Sequence, residues 1–320
     1  MALGLVAAAS LLSAQPVRAQ GAYPERNITL IVPFLAGGGA DITARQLARA
    51  MEKHMPLAAR ITVVSRPGAA GEIGMAAVAT AKPDGYTIGL TTTPNIVAIP
   101  IERSAQFTLD TIDALANVVD DPGTLSVHAD SPIKTIADLI AASRKDKEKD
   151  GLTVGTAGVG SAGHIALTML MNMSEFRGRN VPYSGSAGVR TALLTRDIQV
   201  GFANLGEALT YSKGNPWRIL AQMAPQRLSI APDIPTFREL GIPIETGSLR
   251  LVIAPRGMPK DVVAYLETTI EKAVQDPEFL ATAKSTDLPV RYMGRDEINR
   301  FLRAMDVRLR ELWKVAPWNK

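Results

Sequence analysis

The chain has no cysteine among its 320 residues. Disulfides, thiol nucleophiles and thiolate metal sites are therefore excluded, and an exported form would have to be held by packing alone. Aromatic residues make up only 5%, and no basic tract is interleaved with them. That leaves no stacking platform for bases, so nucleic acid is not an expected partner. Histidine is scarce: His54, His128 and His164 are the only three. They lack the paired spacing of a metal site, and neither metal nor cofactor is expected. No run of about 20 apolar residues, the length a helical bilayer crossing requires, occurs in the sequence.

What is present has the balance of a globular protein, 46% hydrophobic and 21% charged with a formal net charge of +4. The length suits two domains, taking roughly 150 residues for each. The opening "MALGLVAAASLLSAQPVRAQ" has a short apolar run from Ala2 to Leu12, then Val17-Arg18-Ala19. It reads as a secretory leader over residues 1–19, cleaved after Ala19. No Lys or Arg precedes the run, and a start further upstream is the expectation that fits.

Strand and helix patterns then alternate. "ITLIVPF" reads as a strand, followed by a helix burying Ala44, Leu47, Ala48, Met51 and Met55. "ITVVS" and "TIGLTTT" are further strands, with a helix after "RPGAAGEIG", so a βαβαβ order predicts a parallel sheet. Beyond Asp121-Pro122-Gly123 the pattern restarts: a helix from "IKTIADLIAASRKDKEK", a strand "LTVGTA", a glycine turn into "IALTMLMNM", then strands "IQVGFAN" and "WRILAQM". "APQRLSIAPDIPT" marks a boundary. The tail adds "LRLVIAP" and two amphipathic helices, one using Val263, Leu266, Ile270 and Ala273, the other Ile298, Phe301, Leu302, Met305, Leu309 and Leu312. The prediction is an α/β protein of two lobes, 20–121 plus 227–320 and 122–226, with hinges near Val118–Pro122 and Gln222–Arg227.

Each unit carries a glycine turn between a strand and a helix, "PFLAGGGAD" and "GVGSAGH". In doubly wound sheets, ligands sit beyond the carboxyl ends of the strands, where such turns are. The first turn lacks the Lys of a P-loop and the third glycine of a dinucleotide fingerprint, and Asp41 would repel phosphate. Ser161 and Ser186 lack the G-x-S-x-G elbow or its context, and His164 stands too close in sequence to Ser161 to complete a triad. No catalytic residue is assigned. The remaining reading is anion capture: free amides at two helix N-termini, facing one another, grip a dicarboxylate or the head of one acid. Thr92, Thr93, Ser161, Tyr183 and Asn204 would add neutral donors. Each also has a plainer role. Asp41 and Ser161 read equally as helix caps, His164 as a support for the Ser161 turn, Tyr183 as a boundary aromatic and Thr92-Thr93 as a strand end.

These residues carry a resemblance. "YPERNITLIVPFLAGGGAD", "SRPGAAGEIG", "KPDGYTIGL", the run from Gly158 to His164, "NVPYSGSAGVRTALL" and "APRGMP" occur in the order found in the Bug family. The chain resembles these periplasmic substrate-binding proteins of tripartite tricarboxylate transporters from about Tyr23 to Trp313. The resemblance implies a type II periplasmic-binding-protein (Venus flytrap) fold, two doubly wound sheets joined by hinge strands, with a carboxylated solute in the cleft and no catalysis. Carried over by position, the contacts come from Phe34, Gly38, Gly39, Asp41, Thr92 and Thr93 in one lobe, and Ser161, His164, Tyr183 and Asn204 in the other. Expected partners are a small organic acid and either the permease subunits of such a transporter or a sensor kinase, the protein itself being a periplasmic monomer. Departures stand at Ser184, where Lys or Arg is usual, at Arg196-Asp197, where a glycine pair is usual, and at Leu249-Arg250, where an aromatic pair is common. Arg250 reads as a surface substitution, or else as a partner for a distal carboxylate.

Overall fold

Alternation in the first strand sets the layering of the whole first lobe. In the computed structural model, which describes residues 23–145 and 151–318, β1 (Ile28–Val32) turns Ile28, Leu30 and Val32 to one face and Ile31 to the other. Parallel neighbours β2 (Ile61–Ser65) and β3 (Thr87–Thr92) flank it. On the first face lies α1 (Gly39–Glu52), whose Ala44, Leu47, Ala48 and Met51 recur at helical spacing and are buried. The opposite face is covered by α2 (Glu72–Ala79) and α3 (Asn95–Glu102).

The chain then enters β4 (Ile112–His128), a strand of 17 residues that belongs to both lobes. At about 3.3 Å per residue it spans roughly 56 Å. The second lobe follows with α4 (Ile136–Lys145), β5 (Leu152–Thr156), α5 (Ala162–Met173), β6 (Gly178–Pro182), α6 (Ser186–Leu194), β7 (Val200–Asn204), α7 (Leu205–Ser212) and β8 (Trp217–Gln222). β5 pairs in parallel with β6 and β7, while β7 and β8 run antiparallel to β4. The chain returns through β9 (Gly247–Pro255), antiparallel to β3 and β4, then α8 (Lys260–Val274), α9 (Pro277–Ser285), β10 (Val290–Gly294) and α10 (Arg295–Val315). Helices α8 and α9 join α1 on one face, and α10 joins α2 and α3 on the other. The C-terminal helices thus complete the first lobe.

The leader expected over residues 1–19, and the end of the charge-rich helix beyond Lys145, lie outside the described residues. Two segments sit differently from the sequence reading. Asp121-Pro122-Gly123, the point beyond which the pattern restarts, lies within one continuous strand: it is the middle of β4, pairing with β9 on one side of the crossing and with β7 and β8 on the other. The proline-marked loop after β8 stays with the second lobe: Phe237, Ile242 and Ile244 are buried in its core, and the Gln222 side-chain amide donates to Ala231 and Ile234 carbonyls. We therefore place the return crossing at Thr246-Gly247 rather than near Gln222–Arg227. There the two crossing strands touch. Gly123 N donates to Thr246 O at 2.8 Å, and a Cβ on Gly247 would lie 2.4 Å from Asp121 O. Among the described residues no helix is long and apolar enough to cross a membrane.

Candidate functional site

Because β1, β2 and β3 are parallel, as are β5, β6 and β7, the turns after them emerge at the carboxyl edge of each sheet. Those turns hold the residues singled out from the sequence. In the first lobe, Phe34, Gly38 and Gly39 lie between β1 and α1. Gly38 is the N-cap of α1 with φ −78° and ψ 168° and no side-chain cap. It is exposed, and an added Cβ would meet only Leu35 O at 3.4 Å. The glycine is therefore needed neither for a positive φ nor for packing. The φ of +79° at neighbouring Gly37, by contrast, suits only glycine readily. The first amides of α1, at Gly39, Ala40 and Asp41, have no intrahelical partner by geometry. Phe34 is half-buried, its ring lying over Gly71 at the start of α2.

Asp41 is 2% exposed and its carboxylate is fully engaged within its own lobe. Gly37 N and Arg45 Nε donate to Oδ2 at 2.9 and 3.0 Å, and Arg45 Nη2 and Ser65 Oγ donate to Oδ1 at 3.0 and 3.3 Å. Burial works against its ionisation, but these donors and the Arg45 charge hold its pKa below the usual carboxylate value. It fixes the glycine turn from inside and is not the helix cap. Thr93 is also committed, its N donating to Leu249 O and its Oγ1 accepting from Leu249 N. Thr92 is half-exposed and stands in register with Arg250.

In the second lobe Ser161 is the N-cap of α5. Its Oγ donates to Gly158 O at 2.6 Å and accepts from His164 N at 3.4 Å. His164 Nδ1 accepts from Gly160 N at 3.2 Å, and burial lowers the imidazole pKa, so the ring is neutral with its proton on Nε2. The supporting roles read for both residues are the ones observed. Tyr183 packs its ring against Gly155 and Gly188 at the end of β6, and its hydroxyl makes no hydrogen bond among the described residues. Asn204 starts α7. It forms a capping box with Glu207: its N donates to Glu207 Oε2 at 3.3 Å and its side chain faces Glu207 N, although the contact is too loose to count as a hydrogen bond to the buried Oδ1. Ser186 Oγ donates to Glu207 Oε1 at 2.8 Å and accepts from the Tyr211 hydroxyl. Neither serine is hydrogen-bonded to an imidazole nitrogen.

The two edges meet, though not as the sequence suggested. Gly39 faces α7: Glu207 Oε1 lies 3.4 Å from where its Cβ would be. The second glycine turn faces a different part of the first lobe, with Glu102 and Trp318 nearest to Gly160. Open space borders Gly37 and Gly185, where a Cβ would meet nothing within 4 Å.

Arg250 corrects its reading as a surface substitution, being 5% exposed. Its Nη2 donates to Asp121 Oδ2 at 3.1 Å and its Nη1 to Thr43 Oγ1 at 2.7 Å and to Gly39 O at 3.3 Å. Asp121 Oδ1 in turn accepts from Gly206 N at 3.0 Å, in the first turn of α7. One carboxylate on β4 thus ties β9 of the first lobe to α7 of the second. Its burial raises the pKa to about 7, against the lowering effect of Arg250 and Gly206. Asp121, Arg250 and Glu207 were not in the sequence-derived set. For Glu207 a signal existed, since Asn204-x-x-Glu207 is a capping-box spacing.

A cavity of about 200 Å³ lies outside this set, between α5 and α10, lined by Pro94, Ile165, Met169, Met305 and Leu309 among others. Among the described residues no group of three or more His, Asp or Glu is placed to hold a metal ion.

A sequence model described as the tripartite tricarboxylate transporter family receptor matches residues 43–314. BugT of Bordetella pertussis is 30% identical over 267 residues, covering 82% of this chain and 80% of its own length. The solved structure of periplasmic binding protein BugD superposes with a TM-score of 0.81 at 29% identity, over 92% of this chain and 99% of that one. A solved structure of an R. palustris protein with adipate gives 0.82 at 27% identity, over 91% and 97%.

Proposed function

Since the chain belongs to the tripartite tricarboxylate transporter receptor family, whose relatives are solute-binding proteins and not enzymes, we propose that its interlobe cleft captures a small organic carboxylate. It does so in the periplasm and passes the solute to the permease of such a transporter. The observation that carries this reading is the approach of the first turn of α1 to those of α6 and α7 across the lobes, with Glu207 Oε1 3.4 Å from the Gly39 Cβ position and bonded to Ser186 Oγ. A carboxylate stripped of water is costly unless several donors replace the water, and first-turn amides supply them with a favourable partial charge. The adipate held by the R. palustris relative is in keeping with that chemistry.

Roles follow from the geometry. Gly38 leaves the first α1 amides uncovered on its side, Thr92 and the Tyr183 hydroxyl supply neutral donors, and Phe34 forms an apolar wall. Ser161, His164 and Asp41 hold the turns in shape rather than reaching the solute. Asn204 offers its unpartnered Oδ1 to a bridging water. Closure is a hinge motion at Asp121–Gly123 and Thr246-Gly247, favoured only by what the solute touches in both lobes at once.

Calorimetric titration of the purified protein with mono-, di- and tricarboxylates tests this, with sugars and amino acids as controls. One-to-one binding of at least one acid at micromolar or tighter affinity is expected. Silence from every acid, or preference for an uncharged control, sinks the reading. Uptake of the same acid by permease-bearing vesicles should depend on the added protein.

A further inference from the structure

The first turn of α1 is a natural seat for a carboxylate, and a carboxylate of this chain stands beside it. Glu207, from the opposite lobe, reaches to 3.4 Å of the position a Gly39 Cβ would take. It is held in place from its own side. Ser186 Oγ donates to Oε1 at 2.8 Å, Asn204 N donates to Oε2 at 3.3 Å, and the Tyr211 hydroxyl orients Ser186 through a 3.2 Å hydrogen bond. Glu207 therefore sits where the first turns of α1, α6 and α7 converge, and it takes up two donors of the second lobe, Ser186 Oγ and Asn204 N.

Glu207 itself makes no salt bridge among the described residues; Arg190, the arginine on α6, stacks over the Tyr211 ring at 5.3 Å instead. Arg250 Nη2 lies 2.9 Å from the same Gly39 Cβ position, but that guanidinium is paired with Asp121 and shielded from solvent. Arg45 is paired with Asp41. Around this end of the cleft Asp41 and Asp121 are each paired with a guanidinium, whereas Glu207 is held by neutral donors alone. A second acid group of a solute entering here meets the Glu207 carboxylate, which no salt bridge neutralises among the described residues.

We infer that Glu207 is a specificity-determining residue that turns the α1 end of the cleft against a second carboxylate. The solute is then a monocarboxylate whose acid group lies toward Tyr183 and the Gly158 side of the α5 turn, away from Glu102, which is paired with Arg103, and whose uncharged polar far end, such as a carboxamide, lies toward Glu207. This rests on the carboxylate reading of the cleft. The geometry supplies the discrimination: a far-end amide N–H donates to an acceptor already in position, whereas a carboxylate there has two acceptors face each other with no proton between them.

The test uses three matched pairs, succinate with succinamate, glutarate with glutaramate and adipate with adipamate, titrated into the full chain at pH 7.5. The wild type should prefer the half-amide at least tenfold in the pair that binds best. Glu207→Gln keeps an acceptor for Ser186 but loses the charge, and should bring that ratio within about threefold by gaining affinity for the diacid. Diacids bound as tightly as half-amides by the wild type overturn the inference while leaving the carboxylate reading intact. So does an unchanged ratio in a folded Glu207→Gln protein. If that variant does not fold, the wild-type ratio alone decides. No binding by either member of any pair overturns both.

Discussion

Replacing Gly38 by alanine adds one methyl group at a position whose backbone already suits it. The only neighbour is a carbonyl oxygen at 3.4 Å, so loss of an N-cap glycine should cost at most about 1 kcal/mol of stability. If solute rests against the first amides of α1, the same methyl occupies its place, and affinity should fall at least tenfold by calorimetry. Unchanged affinity would remove this turn from the site. Gly39 cannot be used in this way, because its Cβ would also displace Arg250. At this scale the sequence singled out the turns at the sheet edges, and it offered capping and supporting roles for some of their residues without deciding between those and solute contact. Asp41, Thr93, Ser161 and His164 are polar and close to the cleft, yet their hydrogen bonds are spent within their own lobes. Which way a polar side chain turns depends on partners such as Ser65, 24 positions from Asp41, and no local pattern carries that information. Arg250 is the sharper instance. A lone charge in "LRLVIAP" looks like the outward face of a strand, because its partner Asp121 is 129 positions away.

Among the elements, β4 and its ion pair carry the chemistry with the clearest consequence. Asp121 has its carboxyl raised from 3.8 to about 7 by burial, so between these values the folded protein holds a proton that the unfolded chain has released. Stability therefore falls as pH rises through that window and levels off above it. The charged groups facing the carboxyl are Arg250 on β9, Glu207 on α7 and Asp120 beside it, and their balance sets the size of the effect. Melting temperature measured from pH 4.5 to 7.5 should fall more steeply in the wild type than in Asp121→Asn. Parallel slopes would mean the carboxyl ionises normally despite its burial. Long periodic elements such as β1, α1, α8 and α10 were legible, since one face of each is buried and the spacing records it. β4 was legible only as a linking strand near Val118–Pro122 and not in its full length, because Asp120-Asp121-Pro122-Gly123 has the composition of a turn and only pairing on both sides of the crossing keeps it extended. β10, with "VRYMG", is too short and too exposed to show alternation.

Two lobes with separate cores would ordinarily be expected to melt in two steps. Here the second lobe reaches into the first: Ile165 of α5 is 1% exposed and belongs to the cluster built by α2, α3 and α10, with Met169 packed beside it. Together with β4, this contact should make unfolding a single transition in calorimetry, with van't Hoff and calorimetric enthalpies equal within error. Two resolved peaks, or an enthalpy ratio near one half, would show that the lobes unfold independently. The family fold was legible at this scale from motif order alone, whereas the α5–α10 contact joins segments more than a hundred residues apart and left no mark in either.

The shared strand also limits how the gene can be dissected. A cut at residue 122 would halve β4 and leave both fragments with an open ladder, an aggregation-prone edge in each. Domain grafting, split reporters and expression of either half alone should therefore fail for this chain. Insertion of a sensor module into the exposed stretch near Leu57, which leaves the strand whole, is the workable alternative.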